Sequence, residues 1–465
     1  MAETFLITSY TFITVALLCF FLRISLSSTN WNTQKQAKWW ILFGFIFNFY
    51  SFSWIYAIYP VSWMKEGVVQ LFGIFGIHIL IAIASGVCFS VVGLSFHKKI
   101  KSPVKPFIFA FILVLAEILR SLAISLLSYK EGNTVDLHFI IGTLGSALAP
   151  TPFIEYAYFG GTFALTFILG YLTYSFASKK HSLLYWKHGL TICLTLVAVH
   201  FFLPVYGPAK PLHIGIITTN FQTTSSSTTT DHTSYNKQLD FLTTSLVPAH
   251  PDIILYPEDT RYLHNLKEGD SFRLAALFPS TLFIDGDTRI FDNKNVNVSL
   301  FYNPTNERGM ARGKSFLLPF GEYTPSLFST IFSFFIGKEN MDFYIKNHTY
   351  TQVPSNKTVI FEQIRIGTLL CSEILSYRVV QDLRKENPSL VFFQSKMSLF
   401  HNNSWVNAHM YLLTKITAAQ LRRPLISSVN NAPSYIVSPY GKVLITIPTS
   451  FSTSTYTFYK NKISK

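Results

Sequence analysis

Ile366-Gly-Thr-Leu-Leu-Cys371-Ser-Glu373 is the stretch on which the fold of this chain turns. A short run of apolar and small residues leads to a cysteine and then an acid. The segment therefore reads as a buried strand that delivers a thiol at its C-terminal end. Two earlier stretches complement it. Pro251-Asp-Ile-Ile-Leu-Tyr-Pro-Glu258 is another buried strand, with a carboxylate just past its end. Lys314-Ser-Phe-Leu-Leu-Pro-Phe-Gly-Glu322-Tyr-Thr-Pro carries a lysine and, eight residues on, a second acid. In open α/β sheets ligands gather beyond the carboxyl ends of strands, so the two strand-end motifs can converge there.

Outward from these motifs, the composition from about Lys210 onward is that of a globular domain. Strands are expected at Leu212–Thr218, Ile253–Tyr256, Thr281–Asp285, Val296–Tyr302, Val359–Phe361, Ile366–Leu370 and Leu390–Phe393. Helical patterns at Tyr235–Leu246 and Trp405–Leu421 alternate with them. About 250 residues suffice to bury an α/β core. The Thr/Ser run from Thr223 to Thr230 reads as a flexible loop, and the stretch from Phe451 to Lys465 is polar, with no seventh span.

The first half has a different solvent. Of 465 residues only 13% are charged, against 49% hydrophobic, and phenylalanine alone occurs 44 times. Six segments, near 5–22, 39–59, 70–96, 105–127, 154–177 and 186–205, are each apolar and long enough to cross about 30 Å of hydrocarbon. The first lacks a basic region ahead of it, so an uncleaved helix is expected rather than a signal peptide. Basic residues fall in alternate loops: Arg23, Lys35 and Lys38; then Lys98, Lys99, Lys101 and Lys105; then Lys179, Lys180 and Lys187. The intervening loops hold only Lys65 and Lys130. By the positive-inside rule the first three sets are cytoplasmic, which puts everything after residue 206 outside. The division expected is a transmembrane helical domain over 1–206 and an extracytoplasmic catalytic domain over 207–465. The net charge of +14 serves topology in this pattern, and no basic stripe with interleaved aromatics points to nucleic acid.

Cys19, Cys88 and Cys193 lie in apolar spans, leaving Cys371 alone in the globular half. One thiol forms no disulfide within its domain, and no C-x-x-C or H-E-x-x-H pattern offers a metal site; no cofactor is expected. A lone cysteine ending a strand is ordinarily a small buried hydrophobe, and as a nucleophile it needs a base. Besides the acids, His401 and His409 are the rival bases.

The three motifs, in this order, resemble the Glu-Lys-Cys triad of the carbon–nitrogen hydrolase, or nitrilase, superfamily. With a multi-span region ahead of them they resemble the apolipoprotein N-acyltransferase family. Similar stretches are Gly44-Phe-Ile-Phe-Asn-Phe-Tyr-Ser-Phe-Ser-Trp54-Ile-Tyr, Ala116-Glu-Ile-Leu-Arg120, Leu148-Ala-Pro150, and Arg423-Pro with Val429-Asn-Asn431. The resemblance implies a transmembrane bundle of about six helices followed by a nitrilase-like α/β domain, an αββα sandwich, in the bacterial cytoplasmic membrane. It implies Glu258, Lys314 and Cys371 as catalytic residues, with Glu322 and Glu373 as supporting acids. Cys371 would take an acyl group from a membrane phospholipid as a thioester. It would pass that group to the amino terminus of a diacylglyceryl-cysteine apolipoprotein. Glu258 would move the protons, and Lys314 would donate to the oxyanion.

The chain departs from that family at Ser372, where an aromatic residue is usual. Lys396-Met-Ser-Leu-Phe400-His401 likewise stands in place of an Asn-Asp-x-Trp-Phe block. Two alternatives keep the fold: a membrane-anchored amidase or lipid hydrolase, and a non-catalytic lipid-binding paralogue. Two further features await assignment. Glu117 and Arg120, at i, i+3 in an apolar helix, either brace the bundle or line a lipid cleft. The apolar run Pro325–Ile336 is either core or a lid dipping into the membrane through Phe328, Phe332 and Phe335.

Overall fold

The computed structural model describes residues 2–28, 30–60, 68–95, 104–178, 182–208, 211–221, 229–266, 268–292, 294–305, 308–339, 341–342, 345, 349–353, 357–450 and 452–458. Lys65, Lys98, Lys99, Lys101, Lys179, Lys180 and positions 223–228 of the Thr/Ser run lie outside the described residues, as does the side chain of Lys187. Contacts divide the chain into two units. One comprises Met1–Tyr129, Thr134–Pro204 and Asn403–Arg422; the other comprises Lys130–Asn133, Val205–Asn402 and Arg423–Lys465.

The first unit is helical: α1 (Ala2–Ser27), α2 (Thr33–Ser51), α3 (Val68–Ser95), α4 (Lys105–Leu127), α5 (Ala157–Ala177) and α6 (Ser182–Phe202), with the later helix Ser404–Leu421. All six expected spans fall on helices. Five helical stretches, Thr4–Ser27, Thr33–Ile58, Gln70–Ser95, Lys105–Leu127 and Pro152–Ala177, are long and apolar enough to cross a membrane. The apolar part of α6, Gly189–Phe202, is shorter. Small residues let helices close up in such a bundle. A side chain at Gly93 would meet the α2 backbone at Gln36 and Ala37 at 2.5 Å, and one at Gly44 would meet the Phe89 ring at 2.8 Å. Glu117 and Arg120 form a 2.7 Å ion pair with no exposed side-chain surface. Glu117 accepts the Leu144 N–H at 2.8 Å, and Arg120 donates to Asn48 at 3.0 Å. The pair therefore braces α4 against α2 and the loop before α5. A lone charge there would be costly, whereas a pair with hydrogen-bonded partners is tolerated.

The second unit is built from two six-stranded mixed sheets. The first contains β1 (Leu212–Thr218), β2 (Ile253–Leu255), β3 (Leu282–Phe291), β4 (Lys294–Asn303), β5 (Arg308–Gly313) and β12 (Ser452–Phe458), in the order β12-β1-β2-β3-β4-β5. The second contains β6 (Thr358–Phe361), β7 (Ile364–Leu370), β8 (Leu390–Lys396), β9 (Leu425–Asn430), β10 (Ser434–Val437) and β11 (Val443–Ile447), in the order β11-β10-β9-β8-β7-β6. Each sheet has three parallel strands at its centre, β1–β3 and β7–β9, with antiparallel neighbours outside them.

The two-residue period of a strand decides what each face covers. Ile253, Leu255, Leu282 and Ile284 join Ile366, Leu390, Phe392 and Ile426 in one core between the sheets. Their neighbours Ile254, Tyr256 and Phe283 face the other way, toward Leu239 and Leu242 of α7 (Thr229–Thr244) and Leu274 of α8 (Glu268–Leu277). α9 (Ser326–Ile336) follows the Lys314–Glu322 segment, and α10 (Tyr377–Lys385) lies on the second sheet. Gly367 lets it come close, since a side chain there would sit 2.7 Å from Leu383. The layers run helix, sheet, sheet, helix, as expected.

Candidate active site

β2 and β7 are both central parallel strands, and both end at the residues singled out in the sequence. Past β2 the chain passes Gly286 so closely that a side chain there would stand 2.6 Å from the Glu258 Cα. Past β7 the chain turns sharply, and Cys371 takes φ +42°, a left-handed value that non-glycine residues rarely adopt. Such backbone strain persists where surrounding bonds over-determine it. Here Glu373 supplies them, accepting the Leu370 N–H at 2.9 Å, while the Ser372 hydroxyl donates to the Phe316 carbonyl at 2.7 Å. This serine pins the cysteine turn to the loop after Lys314.

Lys314 is the hub. Its ammonium lies 3.0 Å from Glu258 Oε1 and 2.9 Å from Glu322 Oε1. All three side chains are buried. Glu322 is tied further by the Leu318 N–H at 2.7 Å and by the Asn297 side-chain amide. Glu258 Oε2, by contrast, accepts no hydrogen bond among the described residues. Burial works against the Lys314 charge. Glu258, Glu322 and Cys371 outweigh it and hold the ammonium well above the usual lysine range. Burial raises the Glu258 pKa and Glu322 adds to the rise, against the pull of Lys314 and Lys396. Burial, with Glu258 and Glu322, pushes the Cys371 thiol up to about 12, although Lys314 and Ser395 oppose the rise. The resting sulfur is thus protonated, with a carboxylate of raised basicity among the groups that act on it.

Glu373, the second supporting acid, stands in a separate cluster. Arg312 donates to its Oε1 at 2.6 Å, the Ser315 N–H and hydroxyl reach the same oxygen at 2.9 and 2.8 Å, and Lys357 lies 3.6 Å away. Burial alone would raise this acid. Arg312, Lys357 and the Ser315 N–H lower it to about 2. Its role is to hold the turn that carries Cys371.

The rival bases are elsewhere. His401 is exposed at the end of a short turn, and His409 is buried with Nδ1 on the Trp405 carbonyl. The groups acting on the thiol are Glu258, Lys314, Glu322 and Ser395.

The apolar run corrects one expectation. In α9, Phe328 and Phe332 are buried, and Phe328 packs edge-on to Phe320 with ring centres 5.0 Å apart. The residues that face outward are Leu327, Ile331 and Phe334, the last 86% exposed. The side chain of Phe335 lies outside the described residues. At eleven residues, an i, i+4 pair on one face packs inward, and the opposite apolar face is exposed.

Several of the solved structures that this chain resembles are nitrilase-superfamily proteins. Nit3 of Saccharomyces cerevisiae, from branch 10 of that superfamily, is 11% identical over 55% of this chain and 92% of its own, with a TM-score of 0.41. An amidase of the superfamily from Nesterenkonia is 9% identical over 56% and 95%, with a TM-score of 0.40. The glutamine-dependent NAD+ synthetase of Acinetobacter baumannii is 12% identical over 55% of this chain, which spans only 47% of that protein, with a TM-score of 0.38. The chain matches no protein-family model and no curated protein.

Sequence reasoning missed Arg312, Lys357 and the Lys396–Asp259–Arg261 trio. Lys396 and Arg261 both reach Asp259 at 2.6 Å, immediately beside Glu258. One signal was available: Arg312 is two residues before Lys314, so a strand there presents both on one face. Among the described residues no cluster of three or more His, Cys, Asp or Glu is arranged to hold a metal ion.

Proposed function

We propose that this protein transfers an acyl group from a membrane phospholipid to the amino terminus of a diacylglyceryl-cysteine lipoprotein, through a thioester on Cys371. The observation that carries the proposal is the buried Glu258–Lys314–Glu322 cluster bearing on the Cys371 thiol at the ends of two central parallel strands. Glu258 takes the S–H proton as sulfur bonds to the ester carbonyl carbon, and the carbonyl π pair moves to oxygen. Lys314 has two of its protons on carboxylates and a third for that oxyanion, a donor typically worth about 3–4 kcal/mol. Collapse expels the lysophospholipid alkoxide, which takes the proton from Glu258 and leaves the thioester. The acceptor amine then attacks, loses a proton to Glu258, and the returning sulfur recovers it.

The five long apolar helices support a multi-pass membrane location, where both lipid substrates reside. The catalytic unit is assigned to the outer side by the basic loops. The outward apolar face of α9 is assigned to contact with the outer leaflet, where it admits acyl chains.

The test is product analysis with purified protein, phospholipid and a diacylglyceryl-cysteine peptide. The expected product is the N-acyl peptide plus lysophospholipid. Free fatty acid with an unmodified peptide would replace the amine by water and make the protein a lipid hydrolase. No turnover of either kind would leave only lipid binding.

A further inference from the structure

The β7–β8 ladder is parallel, and its last pair sets Leu370 opposite Gln394. Ser395 is therefore the next residue of β8, beside the turn that carries Cys371 off the end of β7. Ser395 is completely buried, and its hydroxyl makes no hydrogen bond of ordinary geometry, although it bears on the Cys371 thiol. Polar side chains at the neighbouring positions are engaged. Gln394 donates to the Tyr256 carbonyl at 2.8 Å and accepts from Ser299 at 2.7 Å. Ser372 donates to Phe316 at 2.7 Å, Lys396 is paired with Asp259, and Ser427 and Ser428 bond to backbone carbonyls. A buried hydroxyl with so little to bond in the resting state calls for an occasion on which it bonds fully.

Resting on the assignment of Cys371 as nucleophile, we propose that Ser395 is a further catalytic residue, donating its O–H to the Cys371 sulfur as that atom becomes a thiolate. A neutral thiol sulfur is a weak acceptor, so the hydroxyl gains little from the resting state. Once the proton has gone to Glu258, the same contact becomes a charge-assisted bond, roughly twice as strong as a neutral one. An interaction that strengthens only as charge develops lowers the barrier without tightening the ground state. Lys314 meanwhile has two of its protons on Glu258 and Glu322.

The titratable groups that act on the sulfur are Glu258 past β2, Lys314 past β5 and Glu322 in the following loop. All three remain in place when Ser395 is changed. The experiment follows alkylation of Cys371 by iodoacetamide against pH in the full-length protein, read by mass on the peptide that carries it. Cys19, Cys88 and Cys193 serve as internal controls. Ser395→Ala moves the profile up by about one pH unit, a roughly tenfold slower reaction at fixed pH. Its unfolding temperature changes little, because the resting contact with a neutral thiol is weak. Ser395→Thr keeps the hydroxyl and the wild-type profile, and Ser395→Gly gives a second removal if the alanine variant does not fold. Profiles of both removals that superimpose on wild type would overturn the proposal. Alkylation needs no acyl substrate. A shifted profile alongside absent acyl transfer would sink the function proposed above while leaving the Ser395–sulfur bond standing.

Discussion

Two buried charge clusters lie in the same sandwich and are wired in opposite ways. Around Lys314, two carboxylates share one ammonium; around Glu373, two cations share one carboxylate. Glu373 has both oxygens occupied and is held down at about 2, so it stays ionised through any physiological pH. Glu258 shares its cation with Glu322 and has an oxygen without a hydrogen-bond partner among the described residues, and burial raises its pKa. Carboxylates whose surroundings push them in opposite directions divide the work of a site. Glu258 is equipped to take and return a proton. Glu373 is equipped to hold a strained turn.

The contrast breaks most sharply at Glu258. Glu258→Gln keeps the shape and removes the base, so acylation of Cys371 falls about 10³-fold with the unfolding temperature unchanged. A comparable loss of unfolding temperature would make Glu258 a structural residue like Glu373. Lys314→Met costs about 10²–10³-fold in the same assay. It also leaves Glu258 facing Glu322 without the shared cation. Like charges raise a carboxyl pKa, so the acid limb of the rate–pH profile moves to higher pH than in wild type. The wild-type limb already lies above the ordinary glutamate value of about 4.3.

Glu373→Gln acts on stability, lowering that of the sandwich by about 3–5 kcal/mol because Arg312 is left buried without its partner. The sign is fixed by a folded-state pKa of about 2 against 4.5 for the free group. The contribution is complete above about 4.5 and is lost as pH falls toward 2, so acid unfolding in that window flattens in the variant. The smallest effect belongs to the outer face of α9. Serine at Leu327, Ile331 and Phe334 lowers turnover several-fold on bilayers and leaves detergent-dispersed short-chain esters unaffected. Equal losses on both substrates would make the face a packing surface.

The elements that position the site were legible because their faces are chemically uniform. β2 is a continuous apolar run and β7 is buried from Ile366 to Leu370, which is what a strand covered on both sides requires. The apolar spans of the first unit were legible for the same reason. β5, Arg308-Gly-Met-Ala-Arg-Gly313, was not, since charges and glycines conceal a strand whose Arg312 serves the Glu373 cluster. β12, Ser452-Thr-Ser-Thr-Tyr-Thr-Phe458, read as a polar tail. It pairs with β1 through backbone hydrogen bonds at a sheet edge, where apolar side chains are not needed. In α9 the apolar residues were plain, but the inward and outward faces depend on Phe320, which no local pattern connects to Phe328. Ser395 is a serine among serines in the sequence. Only the pairing of β7 with β8 brings it to the end of the strand that leads to Cys371.

The most direct test is rapid acid quenching of the purified protein with phospholipid, followed by mass analysis of the peptide bearing Cys371. An acyl adduct on that sulfur, absent in Cys371→Ala and slow to form in Glu258→Gln, is the expected result. Release of lysophospholipid with no adduct on Cys371, or undiminished release by Cys371→Ala, would contradict the account.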